Sequence, residues 1–320
     1  MHTSPSPSVA ESPVAAAPCL PSAGAPKPIA TYDGRGLRKF AIMGGAYGNV
    51  PALTACIAHA QAAGCEGWAF IGDSTGCCGH SDETISLIRS QFTFLVAGNH
   101  EQKAATNAID CGCNYTSAED EHYGSLAHQW AMQSLSNENR AWLGTWPDLA
   151  VVETAAGRLL LCHGSPAQTN EFLYESQLRE DRLLAWLDAF GAQGLLCTHS
   201  GFSWVRELPG GRFAANVGVC GKPDHDHDVA VHYVTVTLGA SLGFEVQIER
   251  VEYDHLGWAD QLDRENVDDV FTIPIRNGVW TCGLLSMPST ERVLRPRPVG
   301  WLAAVRRKEA AAAAPVAAVV

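Results

Sequence analysis

The chain is short of several things, and each shortage removes a class of function. No run of about 18 apolar residues without a charge occurs, so a membrane-spanning helix is unsupported. The closest approach is the Ala-rich end AAVRRKEAAAAAPVAAVV, where alanine is weakly hydrophobic and Pro315 interrupts the run; residues 301–320 read as a frayed helical tail. Positive charge is scarce. The 22 Lys and Arg against 34 Asp and Glu leave a formal charge of -12, and the basic clusters at Arg35–Lys39, Arg295–Arg297 and Arg306–Lys308 make no continuous stripe. Nucleic-acid phosphates would be repelled by such a surface. The first 36 residues lack the cationic start and continuous apolar segment of a secretory signal, and their Ser, Pro and Ala content predicts a disordered tail. The Gly44-Gly45 pair has no GxGxxG or P-loop lysine with it, which favours a tight strand-to-helix turn over a phosphate cradle.

Cysteine is not scarce, but its eleven copies are an odd number in a chain of 320 residues without a secretory leader. That favours reduced thiols in a cytoplasm over an extracellular disulfide framework. A hydrophobic content of 46% can fill a core, and the chain reads as one domain over residues 37–300 between two tails. From Leu37 the pattern alternates: KFAIM as a strand, VPALTACIAHAQAAG as a helix stopped at Gly64, EGWAFIG as a strand, a helix over Asp82–Arg89, then FTFLV as a strand. Two successive βα units imply a mainly parallel sheet. A helical insert is expected from about Ser125 to Leu143, with Ser136 as an N-cap. Then comes an amphipathic helix in REDRLLAWLDAF, followed by short strands in GRFAANVGV, AVHYVTVTL and FEVQIERVEY. The second half is expected to form a separate, more antiparallel sheet packed on the first.

Four of the apolar runs, GWAFIGD, FTFLVAGNH, RLLLCH and GLLCTH, stop at a polar residue: Asp73, Asn99, His163 and His199. In layered α/β folds ligands collect beyond the carboxyl ends of strands, where side chains leave the core. One carboxylate, one amide oxygen and two imidazoles suit Mn, Fe, Zn or Ni better than Ca. A lone histidine at a strand end is more often structural, and an aspartate after Gly72 is often only a turn or cap. The metal reading rests on the four together.

The words GD (Gly72-Asp73), GNHE (Gly98 to Glu101), HGSP (His163 to Pro166) and THSG (Thr198 to Gly201) occur in the order of the calcineurin-like metallophosphoesterases. The segment GAYGN (Gly45 to Asn49) is similar to the first motif, DxHGN, of their small bacterial phosphodiesterase branch. The resemblance covers Lys39 to Asp254. It implies a sandwich of two mixed β-sheets flanked by helices and a hydrolase for phosphoric esters, with two metals about 3.5 Å apart. The private ligands of the first metal fall on Gly45, Tyr47 and Gly201, and all three are lost. Those of the second fall on Asp73, Asn99, His163 and His199, and all four are present. The resemblance therefore implies a site rebuilt around one divalent transition metal.

By the same resemblance His100 acts on the leaving group or holds the transferring phosphoryl beside the metal, Glu101 is placed to orient it, and Asp73 counts with His100 among the catalytic residues. A thiolate-rich replacement for the lost metal, from Cys77, Cys78 and His80 or from Cys111 and Cys113, stays open, as does Tyr47 as tyrosinate or as a packing aromatic. The DHDHD run at Asp224–Asp228 is expected to be solvated, with a minor role in access. The leading expectation is a cytoplasmic hydrolase of a small phosphorylated substrate. Its rivals are a non-catalytic descendant that binds metal and phosphate, and a metalloenzyme turned to another substrate class. The sequence carries no sign of oligomeric state.

Overall fold

A computed structural model describes residues 29–239 and 243–292; most of the N-terminal tail and the Ala-rich end lie outside the described residues. The chain runs β1 (Ile29–Asp33), β2 (Lys39–Met43), α1 (Val50–Ala62), β3 (Gly67–Phe70), α2 (Ser81–Gln91), β4 (Phe94–Leu95) and α3 (Asn99–Ala105). β2, β3 and β4 pair in parallel, as the two βα units require. α1 starts where the Asn49 side chain accepts from Ala52 N, with Pro51 in the first turn, where its missing N–H costs nothing. The insert holds α4 (Ala118–Gln133) and α5 (Asn137–Leu143). Ser136 caps α5 as its sequence predicts, but α4 begins well before Ser125, because Ser117 caps it and Glu119, Asp120 and Glu121 fill its first turn.

The remainder is β5 (Leu149–Thr154), β6 (Gly157–Cys162), α6 (Glu180–Phe190), β7 (Gly194–Cys197), β8 (Ser203–Leu208), β9 (Arg212–Val217), β10 (Val231–Leu238), β11 (Phe244–Val251), α7 (His255–Arg264) and α8 (Asp269–Asn277). Two mixed sheets result, in the orders β11-β10-β2-β3-β4 and β1-β5-β6-β7-β9-β8. The expected division of the sheets by halves of the sequence fails at both ends. β10 is buried almost throughout and takes a central place, antiparallel to β2, while the half-exposed β11 covers it as an edge. β1 lies inside the stretch expected to be a disordered tail, yet it pairs in parallel with β5 as an edge strand.

Strand alternation divides the core into layers. Phe40 and Ile42 of β2 face the opposite sheet and meet Val152, Leu161 and Leu196, while Ala41 and Met43 face α1 and α2 and meet Leu53, Ile57, Ile85 and Ile88. Leu183, Trp186 and Leu187 of α6 cover the outer face of the second sheet. Each such large side chain contributes about 1.5–3 kcal/mol on burial. α7 and α8, which no sequence pattern announced, set Trp258, Leu262, Phe271 and Ile275 against Cys78 and Ala127. Among the described residues no helix is long and apolar enough to cross a membrane.

Candidate metal centre

The strands deliver their end residues to one rim. Asp73 follows β3, Asn99 opens α3 just after β4, His163 follows β6 and His199 follows β7. All four are buried. One ligand atom from each of Asp73, His163 and His199 lies within 4.8 Å of the others, and among the described residues this is the only such group of His, Cys, Asp and Glu. Asp73 and His199 have φ of 60° and 61°, a left-handed backbone that such residues adopt at a cost of order 1–3 kcal/mol and that the surrounding structure must enforce.

The two imidazoles are oriented by their outer nitrogens. His163 Nδ1 donates to Ile71 O at 2.8 Å and His199 Nε2 to Cys113 O at 3.3 Å. With one proton of each ring committed to a carbonyl, the inner nitrogens, His163 Nε2 and His199 Nδ1, face each other across 3.1 Å. His163 Nε2 also lies 3.3 Å from Asp73 Oδ1. Acceptors facing acceptors repel unless a cation or a shared proton sits among them. Asp73 Oδ1 and Asn99 Oδ1 are buried with no hydrogen-bond partner, while Asn99 Nδ2 is tied to Cys111 O at 2.8 Å. Orphaned oxygens beside facing imidazoles are the donor set of a divalent transition metal, and these residues fit one.

The electrostatics place positive charge between Asp73 and His163, a proton where no metal is bound. Burial alone would raise the Asp73 carboxyl, but His163, His100 and His199 hold it well below the usual carboxylate range. Burial also works against a proton on His163, yet Asp73 outweighs it and raises that ring above the ordinary imidazole value. Burial, reinforced by His163, pushes His199 down to about 3, so its inner nitrogen keeps its lone pair near neutrality.

Glu101 does not orient His100. Its carboxylate accepts from Asp73 N at 2.9 Å, Ser74 N at 2.7 Å, Ser74 Oγ at 2.6 Å and Gly98 N at 2.7 Å. That fills its acceptor capacity and clamps the loop after β3 to the start of α3. His100 has no partner at Nδ1 and only Cys113 Sγ at 3.9 Å from Nε2.

The positions of the lost ligands are occupied by other atoms. A Cβ on Gly45 would fall 2.2 Å from Val219 Cγ1, and one on Gly201 2.6 Å from Trp280 Cη2. Tyr47 is half-buried, and burial followed by the Asp73 charge pushes its hydroxyl well above the ordinary value, which favours the neutral phenol. Among the described residues no thiolate site replaces the missing one. Cys77 and Cys78 sulfurs are 4.0 Å apart with no third ligand gathered to them, and His80 is engaged by Glu83 and Glu265. Cys111 and Cys113 are joined as a disulfide, while the other eight described cysteines are free thiols, as expected. Gly45 N donates to Gly72 O at 2.8 Å, so the Gly44-Gly45 turn is a turn and not an anion cradle. The Asp224–Asp228 run is not a solvated rim: Asp224, His225 and Asp228 are buried, Asp224 accepts from Ser203 Oγ, and Asp228 pairs with Arg250 at 2.6 Å.

A cavity of about 90 Å³ opens on Asp73, His100 and His199. Its walls include Tyr115 and Phe172, stacked at 5.6 Å, and Lys222, Phe271 and Trp280. None of these wall residues was picked out from the sequence. Phe271 and Trp280 lie past the end of the motif series, and Lys222 sits in a stretch, NVGVCGKPDHDHD, whose conspicuous feature is its acids.

No protein-family model matches the chain. An uncharacterized protein of Methanocaldococcus jannaschii is 24% identical over 229 residues, which span 67% of this chain and 87% of that protein. Among solved structures, a metallophosphoesterase from Sphaerobacter thermophilus is similar with a TM-score of 0.58 at 19% identity, over 76% of this chain and 100% of that one. A hypothetical protein from Pyrococcus horikoshii gives a TM-score of 0.61 at 16% identity, over 76% and 99%. At these identities the likeness establishes the fold, the calcineurin-like metallophosphoesterase sandwich of two mixed sheets flanked by helices.

Proposed function

We propose that the chain is a metal-dependent hydrolase of a small phosphoester or phosphodiester, working in the cytoplasm through one divalent transition metal, Mn, Fe, Zn or Ni, held by Asp73, Asn99, His163 and His199. The observation that carries this reading is the convergence of the inward nitrogens His163 Nε2 and His199 Nδ1, 3.1 Å apart, on the buried Asp73 Oδ1. Held by these residues, a divalent cation would supply Lewis acidity for a phosphoryl oxygen and for a water. The chain does the rest. Asp73 balances the cation's charge, Asn99 adds a neutral oxygen, and the Ile71 and Cys113 carbonyls hold the two rings in the ligating tautomer. His100, with no strong hydrogen bond at either nitrogen, faces the same cavity and delivers a proton to the leaving oxygen. The volume of about 90 Å³ is below the roughly 300–1,000 Å³ of a drug-sized site and supports a small substrate.

The lost ligands at Gly45, Tyr47 and Gly201 favour one rival, a descendant that binds metal and phosphate without turnover. Metal content, with turnover of bis-p-nitrophenyl phosphate and p-nitrophenyl phosphate, separates the two for the wild type and Asp73→Asn. One metal per chain, and turnover that falls about 10²-fold or more in Asp73→Asn, supports the hydrolase. Bound metal with no turnover moves the function to ligand binding, and two metals per chain overturn the single-metal site.

A further inference from the structure

Lys222 is the only lysine or arginine on the wall of the metal cavity among the described residues. Its backbone is laced to the loop that the resemblance gives to the first metal. Cys220 N donates to Gly44 O and Gly221 N to Gly45 O, each at 2.9 Å, and Asn49 Nδ2 donates to Gly221 O at 2.9 Å. The approach is close enough that a Cβ on Gly221 would fall 1.9 Å from Ala46 O, so only glycine serves there. The ammonium lies 3.6 Å from the centroid of the Trp280 ring. Trp280 is itself fixed: its Nε1 donates to Pro223 O at 2.7 Å and its backbone N to His225 Nδ1 at 2.8 Å.

No hydrogen bond or ion pair reaches Lys222 Nζ among the described residues. Asp120, the other acid on the wall besides Asp73, already accepts from Gly283 N at 2.7 Å and Ser286 N at 2.6 Å. A half-buried ammonium with no ion pair or hydrogen bond of its own is expensive, and the more distant Asp120 charge and an aromatic face offset only part of the cost. The missing partner is an anion that enters the cavity.

We propose that Lys222 binds the phosphoryl group of the substrate: its ammonium holds a non-bridging oxygen and supplies positive charge from the wall of the cavity that Tyr47 and Gly201, two of the lost ligand positions, also line. The inference rests on the phosphoester reading above, and it turns a depleted two-metal site into a site of one metal and one lysine. A charge-assisted hydrogen bond from the ammonium takes over part of the work of a second cation.

The test uses the full chain loaded with Mn²⁺ and inorganic phosphate as the probe, titrated by calorimetry near neutral pH, with metal content and melting temperature measured in parallel. Lys222→Met should bind phosphate about tenfold or more weakly with its metal retained, the loss expected for one charged hydrogen bond. Lys222→Arg should stay within about threefold of the wild type, because it keeps the charge. If Lys222→Met does not fold, Lys222→Gln is measured in its place. Phosphate affinity unchanged in the neutral variant overturns the proposal. So does equal loss in the neutral and Arg variants, which makes Lys222 a prop for Trp280. Lys222-dependent phosphate binding by a wild type that hydrolyses no ester sinks the hydrolase and leaves this site standing. Ester turnover with a KM indifferent to Lys222→Met does the reverse.

Discussion

At the scale of residues, the gathering of Asp73, Asn99, His163 and His199 on one rim was legible because each ends an apolar run, and strand ends are where a layered fold exposes side chains. What those side chains donate and accept was not legible. Nothing in GNHE says that the Glu101 carboxylate clamps Asp73 N, Ser74 N and Gly98 N, because that depends on where the loop after β3 comes to rest. Gly45 and Gly201 read as losses, and the structure adds what fills their space. Both have positive φ, and a Cβ at either would collide with Val219 or Trp280. Restoring the ligand types should therefore fail to restore the site. The triple variant Gly45→Asp, Tyr47→His, Gly201→His is expected to lose at least about 2 kcal/mol in urea unfolding, from overpacking and from side chains forced into left-handed backbone. Its metal content should stay at no more than one per chain. Two metals in a stably folded triple variant would show that the lost site is still there.

At the scale of elements, periodicity located most strands and helices but not their partners. β10 reads as a strand from its sequence, and only its burial on both faces makes it central, next to β2 instead of among its sequence neighbours. α7 and α8 lie past the last motif, so neither spacing nor resemblance reached them, although Phe271 of α8 lines the cavity. The stretch after α8 brings Trp280, Cys282 and Met287 to that wall and is fastened there by the Asp120 carboxylate, which accepts from Gly283 N and Ser286 N. Removing the carboxylate leaves two backbone donors unpaired, each at about 1–3 kcal/mol. Asp120→Ala is expected to speed proteolytic cutting between residues 278 and 292 by about tenfold or more while metal content stays at one per chain, since no ligand candidate moves with that stretch. Metal loss in step with cutting would mean that the C-terminal wall helps to build the metal centre.

At the scale of the whole molecule, the stability of the metal-stripped protein should depend on pH through imidazoles that folding keeps neutral. His128 is fully buried, its Nε2 donates to Ala108 O, and burial followed by the nearby His100 pushes it down to about 4. His199 is pushed to about 3 by burial and by His163. In the unfolded chain both return to about 6.5. Between those values the unfolded state binds the extra protons, so stability rises with pH. It is complete above about 6.5 and is lost as pH falls toward the folded values. His163 works the other way, because its folded value is raised, and it softens the fall. His128 makes a separable contribution, since it lies outside the ligand set. Over the drop from about pH 7.5 to 5 its share is about 2 kcal/mol of unfolding free energy. Urea denaturation of the chelator-treated chain at the two pH values, for wild type and His128→Gln, reads it directly. The variant should begin less stable and lose about 2 kcal/mol less on acidification, whereas an equal acid loss in both proteins would mean that His128 takes its proton in the folded state as readily as in the unfolded chain.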